Sequence, residues 1–113
     1  MLLSTIEEKA VREFVSKISS ECGGRVQQIK LFGSKARGAS RKTSDIDILV
    51  VVDGDELELW DKIQEISSAT SLMFNVFLSV KVMDATHLSL LHSLQTAFIR
   101  NIEREGIDLW KAA

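Results

Sequence analysis

With 113 residues, 45% of them hydrophobic and 27% charged, the chain has enough apolar material for one buried core and is expected to be a single domain, 1–113. A formal net charge of −2 argues against a general nucleic-acid coat, so no direct nucleic-acid binding is expected. The single cysteine, Cys22, excludes an internal disulfide and fits a reducing cytoplasm, while no apolar run approaches the roughly 18 residues of a membrane span.

The opening residues lack the basic-then-apolar order of a signal peptide. Thr5 and Glu8 have the spacing of a capping box, and Ile6, Ala10, Phe14 and Ile18 follow at helical intervals. Gly23-Gly24 is a good stop for that helix. Arg25 to Phe32 reads as a strand with loose alternation, and Gly33 to Ser44 as a turn with one short helical turn. Asp45 to Val52 (Asp-Ile-Asp-Ile-Leu-Val-Val-Val) predicts a central strand buried on both faces, except where the two aspartates emerge at its start. Asp53-Gly54-Asp55 is a turn, after which Leu59, Ile63 and Ile66 share one helical face beside Trp60. Met73 to Met83 is expected as a third strand, and Asp84 or Thr86 as the cap of a helix through Leu94. A last helix should run from about Thr96 to Gly106, leaving Ile107 to Trp110 as a packed tail. The order αβαβαβαα predicts a small α/β (α+β) fold, a mixed β-sheet packed with helices.

Two short segments carry the chemistry. Gly33-Ser34 follows an apolar strand, and such a turn lets backbone amides and a hydroxyl approach phosphate oxygens. Asp45 and Asp47 stand at i and i+2 on a strand, so their carboxylates point to one face. A pair of this kind is costly unless a cation relieves the repulsion, and Mg²⁺ takes one or two carboxylates together with substrate phosphates. Between the two segments the charge is one-sided. From Cys22 through Ser44 there is no acidic residue, against six basic ones: Arg25, Lys30, Lys35, Arg37, Arg41 and Lys42. That is either a solvated basic loop or a field that steers a triphosphate. His87 and His92, five apart, fall on different sides of a helix and are not expected to share a metal; Trp60, Trp110 and Cys22 read as structural.

Gly33-Ser34-x-Ala36-Arg37-Gly38 followed by Ser44-Asp45-x-Asp47 closely resembles the signature of the polymerase-β-like nucleotidyltransferases, and in particular of the minimal nucleotidyltransferases (MNT). The segment Phe98 to Gly106 is similar to the last helix of that family. The resemblance implies that Gly33 and Ser34 hold the phosphates of ATP or another nucleoside triphosphate, with Arg37 and Ser44 nearby. It implies that Asp45 and Asp47 bind Mg²⁺ (or Mn²⁺), two ions acting in an in-line displacement. It implies a third carboxylate on the next long strand, where Asn75-Val76-Phe77-Leu78-Ser79 places Asn75. Asparagine carries no charge and cannot take a proton from the attacking hydroxyl, so transfer is expected to be weakened.

The family further implies a setting: many minimal nucleotidyltransferases are antitoxins that modify or mask helical HEPN toxins. Two readings follow. The first is an enzyme that transfers AMP to a hydroxyl on a HEPN partner, the site being completed by that partner or by another copy of the chain. The second is a catalytically impaired nucleotide-binding module that neutralises the partner by contact.

Overall fold

The computed structural model describes residues 3–38 and 45–112. Helix α1 (Thr5–Cys22) is closed at its start by Ser4 and Glu7: Ser4 Oγ accepts from the Glu7 amide at 3.1 Å, and Glu7 Oε1 accepts from the Ser4 amide at 2.8 Å. The capping box thus lies one residue before the expected Thr5–Glu8 pair. Both pairs satisfy the spacing, but Glu7 is buried where its carboxylate also meets Lys35, whereas Glu8 is exposed. Ala10, Phe14 and Ile18 are fully buried as the helical interval predicts, while Ile6 stays exposed.

A 3-10 turn (Gly23–Arg25) leads into β1 (Val26–Phe32), and α2 (Gly33–Arg37) follows without a break. The chain continues through β2 (Ile46–Val52), α3 (Glu56–Phe74), β3 (Leu78–Asp84), α4 (Ala85–Leu94), α5 (Ala97–Glu105) and β4 (Ile107–Lys111). The sheet order is β3-β2-β1-β4. β1 runs antiparallel to both β2 and β4, and β2 pairs parallel with β3, with α3 as the crossover that a parallel pair requires. This is the mixed sheet with packed helices that the sequence predicts.

β2 is the buried strand at the centre. Ile46, Ile48, Val50 and Val52 face Phe14 and Ile18 of α1 and Leu59, Ile63 and Ile66 of α3. Leu49 and Val51 face the other way, onto Met83, Ile102, Phe98 and Leu91. Burying one such side chain contributes about 1.5–3 kcal/mol, so a strand of valine, isoleucine and leucine covered on both sides is a rigid base for whatever stands at its start. Asp47 is the first residue of the second face.

Two expectations are corrected. Met73 to Met83 is not one strand: α3 continues to Phe74, Asn75 ends it in a left-handed conformation (φ 53°, ψ 48°), and β3 begins only at Leu78. The apolar Leu72 and Met73 belong to the last helical turn and are 85% and 66% exposed, so they imitate a strand by composition alone. Asparagine is among the few residues that tolerate the left-handed region, and its amide donates to Ser71 O as a helix terminator. The segment from Ile107, expected as a tail, instead pairs with the open edge of β1, Leu31 against Ile107 and Gln28 against Lys111. Of the two candidates Asp84 and Thr86, Asp84 caps α4, and Thr96, near the expected start of the last helix, caps α5. Among the described residues no helix is long and apolar enough to cross a membrane.

Candidate active site

The site forms where β1 ends and β2 begins. Antiparallel pairing sets Phe32 opposite Asp47, so the turn after Phe32 arrives beside the carboxylates. Gly33 has φ +75°, and a Cβ on it would collide with Asp47 Oδ2. Only glycine meets both conditions, the left-handed backbone and the missing side chain. Gly33, predicted as part of a phosphate turn, and Asp47, predicted as a metal-type aspartate, therefore lie against each other.

Asp47 is half-buried, between Phe32 on β1 and Ser79 on β3, its partner in the parallel register. The Phe32 ring is itself held edge-on by Phe98, with centroids 5.4 Å apart. Burial pushes the Asp47 carboxyl above its ordinary value, and the negative charge of exposed Asp45 pushes it further; Lys81 and Arg37 act in the opposite direction without cancelling the rise. Two hard-oxygen carboxylates that raise each other's cost, one of them desolvated, suit a Mg²⁺ ion shared with phosphate oxygens. In that respect the residues present fit the metal that the resemblance implies.

The basic stretch is rearranged in three dimensions. Lys35 Nζ lies 2.8 Å from Glu7 Oε2, with the lysine side chain only 3% exposed, and so ties α2 to the start of α1. Arg37 Nη1 donates to Glu105 Oε2 at 3.3 Å, which couples the end of α2 to the end of α5. Lys30 pairs with Asp108 at 3.7 Å and Arg25 with Glu58 at 3.6 Å. Acidic residues distant in sequence thus offset four of the six basic side chains. Arg37, which also acts on Asp47, remains at the site. Ser44, Arg41 and Lys42 lie outside the described residues.

Asn75 is not on the strand beside the aspartates. The positions of β3 that share the face of Asp47 are Ser79, Lys81 and Met83, and none is a carboxylate. Among the described residues no group of three or more His, Cys, Asp or Glu could hold a metal ion. Asn75, expected near the start of the third strand, instead ends α3, and on β3 it is Ser79 that pairs with Asp47, with Lys81 next on the same face. The alternation Leu78-Ser79-Val80-Lys81-Val82 was the available signal for Lys81, but a strand begun at Met73 obscures it.

The two histidines have separate partners. His87 Nδ1 lies 3.1 Å from both oxygens of Glu56, and His92 Nδ1 lies 2.8 Å from Glu103, so the two imidazoles serve different elements. Cys22 is buried and its thiol is raised, chiefly by that burial.

Residues 8–108 match the family described as nucleotidyltransferase domain. The chain belongs to that family. It is 36% identical over 104 residues to a Methanocaldococcus jannaschii protein with the provisional name protein adenylyltransferase MJ0604, covering 92% of this chain and 98% of that one. Among solved structures, a toxin–antitoxin complex with AMP-PNP is 25% identical, with a TM-score of 0.55, over 88% of this chain and 72% of that one. The complex of tri-AMPylated Shewanella oneidensis HEPN toxin with MNT antitoxin shares the fold at 19% identity and a TM-score of 0.51, over 93% of this chain and 72% of that one. A solved structure provisionally assigned as a minimal nucleotidyltransferase shares the fold at 22% identity and a TM-score of 0.62, over 96% of this chain and 97% of that one.

Proposed function

We propose that this nucleotidyltransferase transfers AMP from ATP, or the nucleotidyl group of another nucleoside triphosphate, to a hydroxyl on a partner protein of the HEPN class. The observation that carries the reading is the approach of Gly33 to Asp47, because it joins a phosphate-type turn to a carboxylate pair. Gly33, Ser34 and Arg37 bind the β- and γ-phosphates, with Arg37 steadied by Glu105. Ser44, next to Asp45 in sequence, is assigned to the same nucleotide on sequence grounds alone. Asp45 and Asp47 hold Mg²⁺ or Mn²⁺, which when bound neutralises charge on the phosphate oxygens. The acceptor oxygen forms a bond to the α-phosphorus, the α–β phosphoanhydride bond breaks, and pyrophosphate leaves with the electron pair while the hydroxyl proton passes to solvent. Catalysis then rests on positioning and electrostatics.

The likeness to MJ0604 supports a protein acceptor, and the likeness to toxin–antitoxin complexes supports the HEPN partner. The setting we assign is the cytoplasm, with the partner or a second copy of the chain completing the acceptor side. A second reading, a module that neutralises the partner by contact, is favoured by Ser79 and Lys81 standing on β3 where a further carboxylate would help.

The test is transfer of label from α-labelled ATP to the purified partner, comparing wild type with Asp45→Ala and Asp47→Ala. Labelling of the partner that both substitutions abolish supports transfer. Neutralisation of the partner without labelling supports the second reading. ATP binding that ignores Mg²⁺ and Asp47→Ala removes the site altogether.

A further inference from the structure

On edge strand β3, Met83 is buried, Ser79 adjoins Asp47 across the parallel ladder, and exposed Lys81 stands between them on the same face. Strands about 4.8 Å apart with about 3.3 Å rise per residue set the Cα atoms of Asp47 and Lys81 about 8 Å apart, a diagonal that a lysine side chain spans. Lys81 borders an open groove of about 330 Å³ with Met83, Thr96 and Phe98.

Asp45 and Asp47 suffice for one divalent ion whose other positions are taken by phosphate oxygens and water. A second ion a few ångströms away needs further anionic oxygens. The described residues offer no cluster of three ligands, and β3 offers an ammonium instead. A divalent ion and an ammonium at that spot repel each other, whereas an ammonium and a triphosphate attract.

We propose that Lys81 supplies the positive charge a second divalent ion would bring, donating to the phosphate oxygens of the nucleotide, so that the site loads one divalent cation per chain. The proposal rests on the nucleotidyl-transfer reading above. It makes Lys81 a substrate-binding residue whose charge is tethered to the strand and independent of free metal concentration.

The experiment counts bound Mn²⁺ by electron paramagnetic resonance at saturating non-hydrolysable ATP analogue, for wild type, Lys81→Ala, Lys81→Arg and Lys81→Asp, with thermal melts to verify folding. Wild type is expected to hold one Mn²⁺ per chain. Lys81→Ala should keep one and bind the analogue about tenfold more weakly, Lys81→Arg should match wild type, and folded Lys81→Asp should take up a second ion. Two Mn²⁺ per wild-type chain, unchanged analogue affinity in Lys81→Ala, or a folded Lys81→Asp that stays at one ion overturns the role of Lys81 and leaves the transfer reading standing. A wild type that binds neither Mn²⁺ nor the analogue overturns both.

Discussion

Gly33 and Asp47 occupy each other's space: the volume a Cβ would fill on Gly33 is taken by the Asp47 carboxylate. Strain and function at this point are separable. Gly33→Ala should cost about 2 kcal/mol, from the left-handed backbone and the collision together. In an Asp47→Ala background the carboxylate is gone, leaving the backbone cost and a 3.3 Å approach to the Cβ at position 47, so the same substitution should cost distinctly less. Urea unfolding of the four proteins in this cycle checks it. Equal costs in both backgrounds would mean that the two residues are not coupled.

Asp47 also sets a stability cost on the site. Its carboxyl is raised by burial and by Asp45, so the folded state binds that proton more tightly than the unfolded state does. A raised carboxyl favours folding at low pH, and that advantage is lost as pH rises above the ordinary value of 3.8. At neutral pH Asp47→Asn should therefore raise the melting temperature by about 3 °C, and the gain should vanish below the carboxylate range. Mg²⁺ with ATP should raise the melting temperature of wild type but not of Asp47→Asn. A variant less stable than wild type at pH 7 would contradict the assignment.

Glu7 has the opposite dependence. Burial pushes its carboxyl up, but the hydrogen bond and charge of Lys35, with the Ser4 amide, outweigh that and hold it below its ordinary value of 4.5. Stability from a lowered carboxyl is present above that value and is lost as pH falls through the folded pKa. Acid unfolding of wild type should therefore include a component below 4.5 that Glu7→Gln removes. Lys35→Met leaves Glu7 buried beside an apolar chain and should cost about 3 kcal/mol at pH 7. Urea melts across pH 3 to 7 measure both effects.

The legible parts of the chain were those whose signal is local. The run from Asp45 to Val52 announces a central strand because continuous β-branched residues fit only a position covered on both faces, and the structure covers both. Gly33 and Asp47 could be singled out by type and spacing, whereas their contact depends on the antiparallel register of β1 and β2. The pairing of the basic stretch is illegible for the complementary reason: Glu7, Glu58, Glu105 and Asp108, which offset four of its six cations, lie elsewhere in the chain. Asn75 was misplaced because exposed Leu72 and Met73 lengthened an apolar run that is helix up to Phe74.

That misplacement has a direct test. If Asn75 served as a weakened catalytic position, Asn75→Asp would raise nucleotidyl transfer. As the left-handed terminator of α3 (φ 53°), its role is conformational, and the substitutions should rank by backbone tolerance instead. Asn75→Gly should match or slightly exceed wild-type stability, and Asn75→Ala should lose about 1 kcal/mol. Asn75→Asp should lose less than Asn75→Ala, because aspartate also tolerates this region, and should leave ATP affinity and transfer within about twofold of wild type. Denaturation midpoints and labelled-ATP transfer on the same preparations distinguish the two roles. A large gain in transfer with Asn75→Asp at unchanged stability would make Asn75 the third carboxylate position after all.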